Sequence, residues 1–127
     1  MTRFLLVCLG GAIGAGARYL TAVWAAAAFG STFPVGTLLV NVVGSLLLGF
    51  LMHIGTATEA LSTNVRLALT TGVLGGFTTY STFNYETTDF FRGGSWLYGS
   101  LNVILTVAGC LAAGLAGVAL GRLLVGR

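Results

Sequence analysis

Residues 75–86 read Gly75-Gly76-Phe77-Thr78-Thr79-Tyr80-Ser81-Thr82-Phe83-Asn84-Tyr85-Glu86, and they lie well inside an apolar run that extends from Val65 to about Phe91. Two glycines followed by two threonines are poor material for an uninterrupted helix, because glycine has excess backbone freedom and threonine is β-branched with a competing hydroxyl. The pattern predicts a break near Gly75 to Thr79. There the preceding helix ends in carbonyls without partners, a site suited to a small cation, and the following helix begins with N–H groups that favour an anion. Irregular backbone at membrane depth survives only where protein shields it or where it faces a water-filled path. The alternative is a glycine kink closed by Ser and Thr hydroxyls that bond back to carbonyls.

The rest of the chain has the composition of a membrane protein. Its 127 residues carry 7% charged and 56% AVILMFWYC side chains, with mean hydropathy +0.95, whereas a soluble domain has about 25% charged residues. Intrinsic disorder is excluded by the apolar excess. The net charge of +3 comes from scattered arginines, with no basic stripe for a nucleic-acid backbone. Cys8 and Cys110 sit far apart inside apolar runs, show no metal-ligand spacing, and are expected to be buried free thiols. Arg3 followed by Phe4 to Cys8 has the order of a secretory signal, but the charged region is very short, Val7 is a poor small residue, and the apolar run continues. A retained first helix is expected.

Four transmembrane spans are predicted in a single domain, at about residues 4–29, 35–54, 65–91 and 96–125. Pro34 falls where a helix begins, the stretch from Thr56 to Thr63 with Glu59 reads as a loop, and Ser62 or Thr63 is a candidate N-cap. Arg92-Gly93-Gly94-Ser95 reads as a turn, and four crossings put both termini on one side. Several of the 20 glycines fall four apart: Gly10 and Gly14, Gly72 and Gly76, Gly117 and Gly121. Such pairs let helices approach closely in lipid, as general packing or as a dimer seam. Arg3, Arg66, Arg122 and Arg127 outnumber Arg92 and Arg18 on the opposite side, which favours cytoplasmic termini.

Polar groups within the spans are functional candidates, because each is expensive in lipid. Asn41 lies among apolar neighbours in the second run, with Thr37 one turn earlier. Its NH2 can hold an anion without a fixed charge, or it can join two helices. Asn102, Thr106 and Cys110 recur every four residues along one stripe of the fourth run. Tyr80 and Phe83 share a helix face and have ring edges of positive potential. Arg18 is placed for a pore mouth or for the interface, Glu86 and Asp89 for pairing with Arg18 or Arg92, and His53 for a solvated interface.

The stretch Gly75-Gly76-Phe77-Thr78-Thr79-Tyr80-Ser81-Thr82-Phe83, together with Gly36-Thr37-Leu38-Leu39-Val40-Asn41 and a four-span plan, resembles the Fluc (CrcB-type) fluoride channels over nearly the whole chain. The resemblance implies an all-α membrane protein with four transmembrane helices, the third broken near mid-membrane, in an antiparallel, dual-topology homodimer. It implies two fluoride pathways and a structural sodium ion at the dimer centre. The sodium ligands would be the backbone carbonyls of Gly75 and Thr78 from each subunit. Asn41, Tyr80, Phe83, Ser81 and Thr82 would lie in or beside the fluoride pathway, with Thr37, Asn102, Thr106 and Cys110 as its polar track, Arg18 in the vestibule and Glu86 near the pore end. Tyr80 departs from the frequent Phe of the family, and Asn102 and Cys110 depart from the more familiar tyrosine and serine. The unequal arginines also argue against perfectly balanced dual insertion, so the antiparallel arrangement is implied by the resemblance alone.

The function expected is passive, fluoride-selective efflux across the bacterial inner membrane, and with it fluoride resistance, the partners being fluoride, membrane lipid and a second copy of the chain. No enzymatic activity and no nucleic-acid partner are expected. The rival reading is a small four-helix proton-coupled multidrug exporter, which typically needs a carboxylate in its first span; Phe4 to Phe29 has none. A noncatalytic assembly subunit would use the glycines but leave the polar stretch without a task.

Overall fold

A computed structural model describes residues 1–58 and 61–126. Glu59 of the expected loop and Arg127 of the expected charge count lie outside the described residues. All regular structure among the described residues is helical: α1 (Thr2–Phe29), α2 (Val35–Ala57), α3 (Thr63–Leu67), a π-helical stretch (Ala68–Leu74), α4 (Gly75–Phe77), α5 (Tyr80–Arg92) and α6 (Trp96–Val125). Three of these, α1, α2 and α6, are long and apolar enough to cross a membrane. The third apolar run is instead a composite of α3, the π stretch, α4 and α5.

Local chemistry sets most of the ends. Gly30 ends α1 with φ of 79°, and the Pro34 carbonyl accepts from the Leu38 N–H at 3.1 Å as α2 starts. Ser62 caps α3 by accepting from the Val65 N–H at 3.4 Å. Between α5 and α6, the Gly93 and Ser95 N–H groups bond to the carbonyls of Asp89 and Phe90, and Gly94 takes φ of 75°. Phe33, Phe90 and Tyr98 gather their rings at that end, with centroids 5.7 to 6.5 Å apart. At the other end the Arg66 guanidinium donates to the Gly55 carbonyl at 2.9 Å, joining the end of α2 to the start of the third run.

The glycine pairs are contacts within the chain. Gly10 and Gly14 of α1 press against the backbone of Ala68 to Phe77, where a Cβ on Gly14 would overlap the Val73 carbonyl. Gly76 returns the contact against Gly11, and Gly117 of α6 packs on the Leu46 carbonyl of α2. Without a hydrophobic force between helices in lipid, this close backbone approach is a main source of cohesion. Few large apolar side chains are buried, so the interior is small and partly polar: Thr37, Asn41, Thr79, Thr87, Asn102 and Thr106 are all buried. The outward faces are apolar instead, as with Phe4, Leu9 and Ile13 on α1 and Leu111 and Leu115 on α6.

Candidate functional site

Thr78 and Thr79 are extended, with ψ of 158° and 109°, between α4 and α5. The interruption falls on the threonines, while Gly75 and Gly76 remain helical. Thr79 then caps α5: its hydroxyl accepts from the Thr82 N–H at 3.3 Å and donates to the Thr82 hydroxyl at 2.9 Å. The Ser81 hydroxyl lies 3.4 Å from it.

Asn41 sits opposite the interruption and is buried. Its Nδ2 donates to the Thr79 carbonyl at 3.0 Å, and its Oδ1 accepts from the Thr79 N–H at 2.7 Å. The carboxamide thus stands in for a strand or helix neighbour and satisfies both backbone polar groups of one residue. That donation uses one of the two N–H bonds of its carboxamide.

These bonds redirect two donors. In a continuous helix the Thr79 N–H would serve the Gly75 carbonyl and the Thr82 N–H would serve the Thr78 carbonyl. Here the first goes to Asn41 and the second to the Thr79 hydroxyl. Gly75 and Thr78, which the family resemblance implies as sodium ligands, are therefore among the residues whose carbonyls lack a helical donor, together with Gly76 and Phe77. Gly75 and Thr78 both line a cleft of about 420 Å³ that is also lined by Asn41, Phe83, Thr106 and Cys110. Across the extended pair, Thr79 and Thr82 line a second cleft of about 330 Å³ with Arg18 and Thr37. The Arg18 Nε is buried there without a hydrogen-bond partner.

The remaining sequence candidates divide between these surroundings. Tyr80 and Phe83 touch, with ring centroids 5.7 Å apart, and both line the larger cleft, but Phe83 is buried while Tyr80 is 77% exposed. Thr106 and Cys110 reach the larger cleft. Asn102, one turn earlier on the same stripe, is fully buried and donates to the Thr87 hydroxyl at 2.9 Å. Glu86 turns to the Thr37 hydroxyl, at 2.7 Å, in place of the expected arginine.

Two expectations need correction. Cys8 is exposed, because it lies on the outward face of α1, although both cysteines are free as expected. His53 is half-buried with an unpartnered Nε2, because Gly121 of α6 leaves room for its ring. Sequence reasoning missed Thr87, whose signal was its four-residue spacing from Phe83. It also missed the π stretch, which had no comparable signal.

The chain is similar to known proteins over nearly its whole length. The family model described as CrcB-like protein, Camphor Resistance (CrcB), matches residues 5–118. A protein named fluoride-specific ion channel FluC from Anaeromyxobacter dehalogenans is 54% identical over 126 residues, 99% of this chain and 100% of its own length. Proteins of the same name from Sorangium cellulosum and Geobacter sulfurreducens are 48% and 46% identical, over 98% and 96% of this chain and 98% of each relative.

Proposed function

The chain belongs to the CrcB family, and from that premise we propose that it is a fluoride-selective channel giving passive efflux across the bacterial inner membrane. Its family and its long apolar helices make it a multi-pass membrane protein. The third run is read as a fourth, broken crossing, so that the extended pair Thr78–Thr79 stands at membrane depth. Two copies are read as an antiparallel dimer in which the apolar outer faces meet lipid and each other.

The observation that carries the reading is the diversion of the Thr79 and Thr82 N–H groups to side chains, between two polar-lined clefts. A continuous helix would offer an ion nothing at this depth, because its backbone groups would satisfy one another. Fluoride is small and strongly hydrated, so a pore must replace its water with donors while avoiding a deep trap. The second N–H of Asn41, the hydroxyls of Ser81, Thr82 and Thr106, the ring edge of Phe83 and the opening turn of α5 supply donors of moderate strength. Arg18 concentrates anions at the smaller cleft, which Thr37, bonded to Glu86, also lines. Net flow then follows the electrochemical gradient. Hydrogen fluoride that enters a cell and loses its proton would leave by this path.

The Gly75 and Thr78 carbonyls fit a hard monovalent cation, since both have lost their helical donors and both residues line one cleft. Paired with the same carbonyls of a second subunit, they would hold a sodium ion that offsets their partial charges and ties the two interruptions together. Fluoride and chloride efflux from liposomes containing purified protein tests the proposal. Fluoride release with chloride retained is expected; equal release of both overturns the selectivity, and no release from folded protein overturns the channel.

A further inference from the structure

Thr79, Phe83 and Thr87 succeed one another every four residues from the cap of α5 onward and are 7%, 7% and 6% exposed, so they form one inward stripe. Each end of the stripe is held by a carboxamide from a different helix. Asn41 of α2 holds Thr79 through its backbone N–H and carbonyl. At the other end, Asn102 of α6 donates from Nδ2 to the Thr87 hydroxyl at 2.9 Å, and that hydroxyl donates to the Phe83 carbonyl at 2.7 Å.

The arrangement matters because α5 comes after two extended residues and cannot inherit its rotation or height from the helix before it. Its placement is set by what it touches. Phe83, which lines the larger cleft, stands midway between the two carboxamides. We propose that Asn102 and Thr87 are positioning residues for ion selection: together they fix Phe83 in the cleft, Asn102 acting through Thr87 instead of on the ion. Asn102 is 0% exposed, so its committed N–H has no solvent to turn to if Thr87 loses its hydroxyl. The Thr87 hydroxyl is the joint, accepting from α6 while donating to the ring-bearing residue of α5.

The inference rests on the channel reading for its consequence and on a separate measurement for its geometry. Thr87→Val and Asn102→Leu keep volume and remove the bond from either side, while Thr87→Ser keeps the hydroxyl. Each of the first two is expected to lower the ratio of fluoride to chloride efflux by about threefold to about twentyfold, the span of single hydrogen bonds between membrane helices. The double variant should fall no further, and Thr87→Ser should keep the parental ratio. A parental ratio in Thr87→Val or Asn102→Leu, or effects that multiply in the double variant, overturns the proposal.

In parallel, 4-fluorophenylalanine placed at position 83 in detergent-solubilised protein reads the ring by fluorine NMR without any transport. Its resonance should shift or broaden in Thr87→Val and Asn102→Leu and match the parent in Thr87→Ser. An unmoved resonance in the first two refutes the positioning role even if the parent passes no fluoride, an outcome that would sink the channel reading alone. Should Thr87→Val fail to elute as folded protein, Asn102→Leu interrogates the same bond from α6.

Discussion

Replacing Asn41 by leucine removes both hydrogen bonds to Thr79 while nearly conserving volume, and so isolates the polar role of the carboxamide. The bonds lost are the 3.0 Å donation to the Thr79 carbonyl and the 2.7 Å acceptance from its N–H. Hydrogen bonds between membrane helices average about 0.6 kcal/mol and reach about 1.7 kcal/mol. Leaving a buried polar group unsatisfied costs about 1–3 kcal/mol. The lower scale governs here, because clefts flank the interruption on both sides and let water replace part of what is lost. The pair is then worth about 1–3 kcal/mol, or about 5-fold to 150-fold in the population of the native interruption. Fluoride efflux from liposomes should fall within that range while size-exclusion chromatography still shows the parental elution volume. Asn41→Asp should fall at least as far, because an ionised carboxylate cannot donate to the Thr79 carbonyl and sets a negative charge beside the proposed anion path. Parental efflux in Asn41→Leu would show that the side chain only fills space, and a changed elution volume would show that it holds the proposed dimer together.

Other perturbations separate packing from permeation. Gly14→Ala puts a Cβ against the Val73 carbonyl and 2.8 Å from the Phe77 nitrogen, whereas Gly16→Ala meets nothing within 4 Å. The first should lower thermal stability in detergent by about 1–3 kcal/mol, as overpacking does, and the second should leave it equal or higher; equal melting of the two would contradict the α1 packing. Thr37→Val deletes the 2.7 Å bond to Glu86 and should slow fluoride efflux about threefold, the effect of one average interhelical bond, with Thr37→Ser at the parental rate. Purification with a bulky organic cation in place of sodium should lower efflux, and sodium added back should restore it; indifference to the exchange would remove the proposed ion from the Gly75 and Thr78 carbonyls.

The sequence locates the interruption through the conflict between a hydrophobic run and a cluster of glycines and threonines, but it does not say which of them leave the helix. By propensity alone glycine is the weaker helix former. In the fold Gly75 and Gly76 both stay helical, and Gly76 is small because α1 backbone lies against it. The threonines leave the helix because the Thr79 hydroxyl can cap α5 and Asn41 can satisfy the peptide groups set free. That partnership spans 38 residues and is invisible to any local pattern. The same holds for Asn102 and Thr87, where spacing along α6 marks the asparagine and spacing from Phe83 marks the threonine, but nothing local pairs the two. Burial is hardest to judge in a chain whose outside is apolar: Cys8 reads as interior by its neighbours, yet the interior here is the polar side.

Donor diversion would also let the proposed cation site and the proposed anion path lie side by side without a cluster of charged residues. The extended Thr78–Thr79 pair bares the carbonyls from Gly75 to Thr78, and each N–H captured by a side chain keeps one of them, Gly75 or Thr78, from regaining its helical partner. Asn41 keeps Gly75 bare when it takes the Thr79 N–H, and the Thr79 hydroxyl keeps Thr78 bare when it takes the Thr82 N–H. The negative and positive ends created this way are only a few residues apart and cannot be tuned independently. A Thr79→Val substitution puts this to the test, because it removes the cap without touching Asn41. The Thr82 N–H is then free to return to the Thr78 carbonyl, as in an ordinary helix. Sodium dependence of efflux should weaken together with the fluoride rate, although Thr79 contributes no carbonyl to the proposed sodium site. A variant that lost fluoride flux but kept full sodium dependence would show that the two sites are built separately.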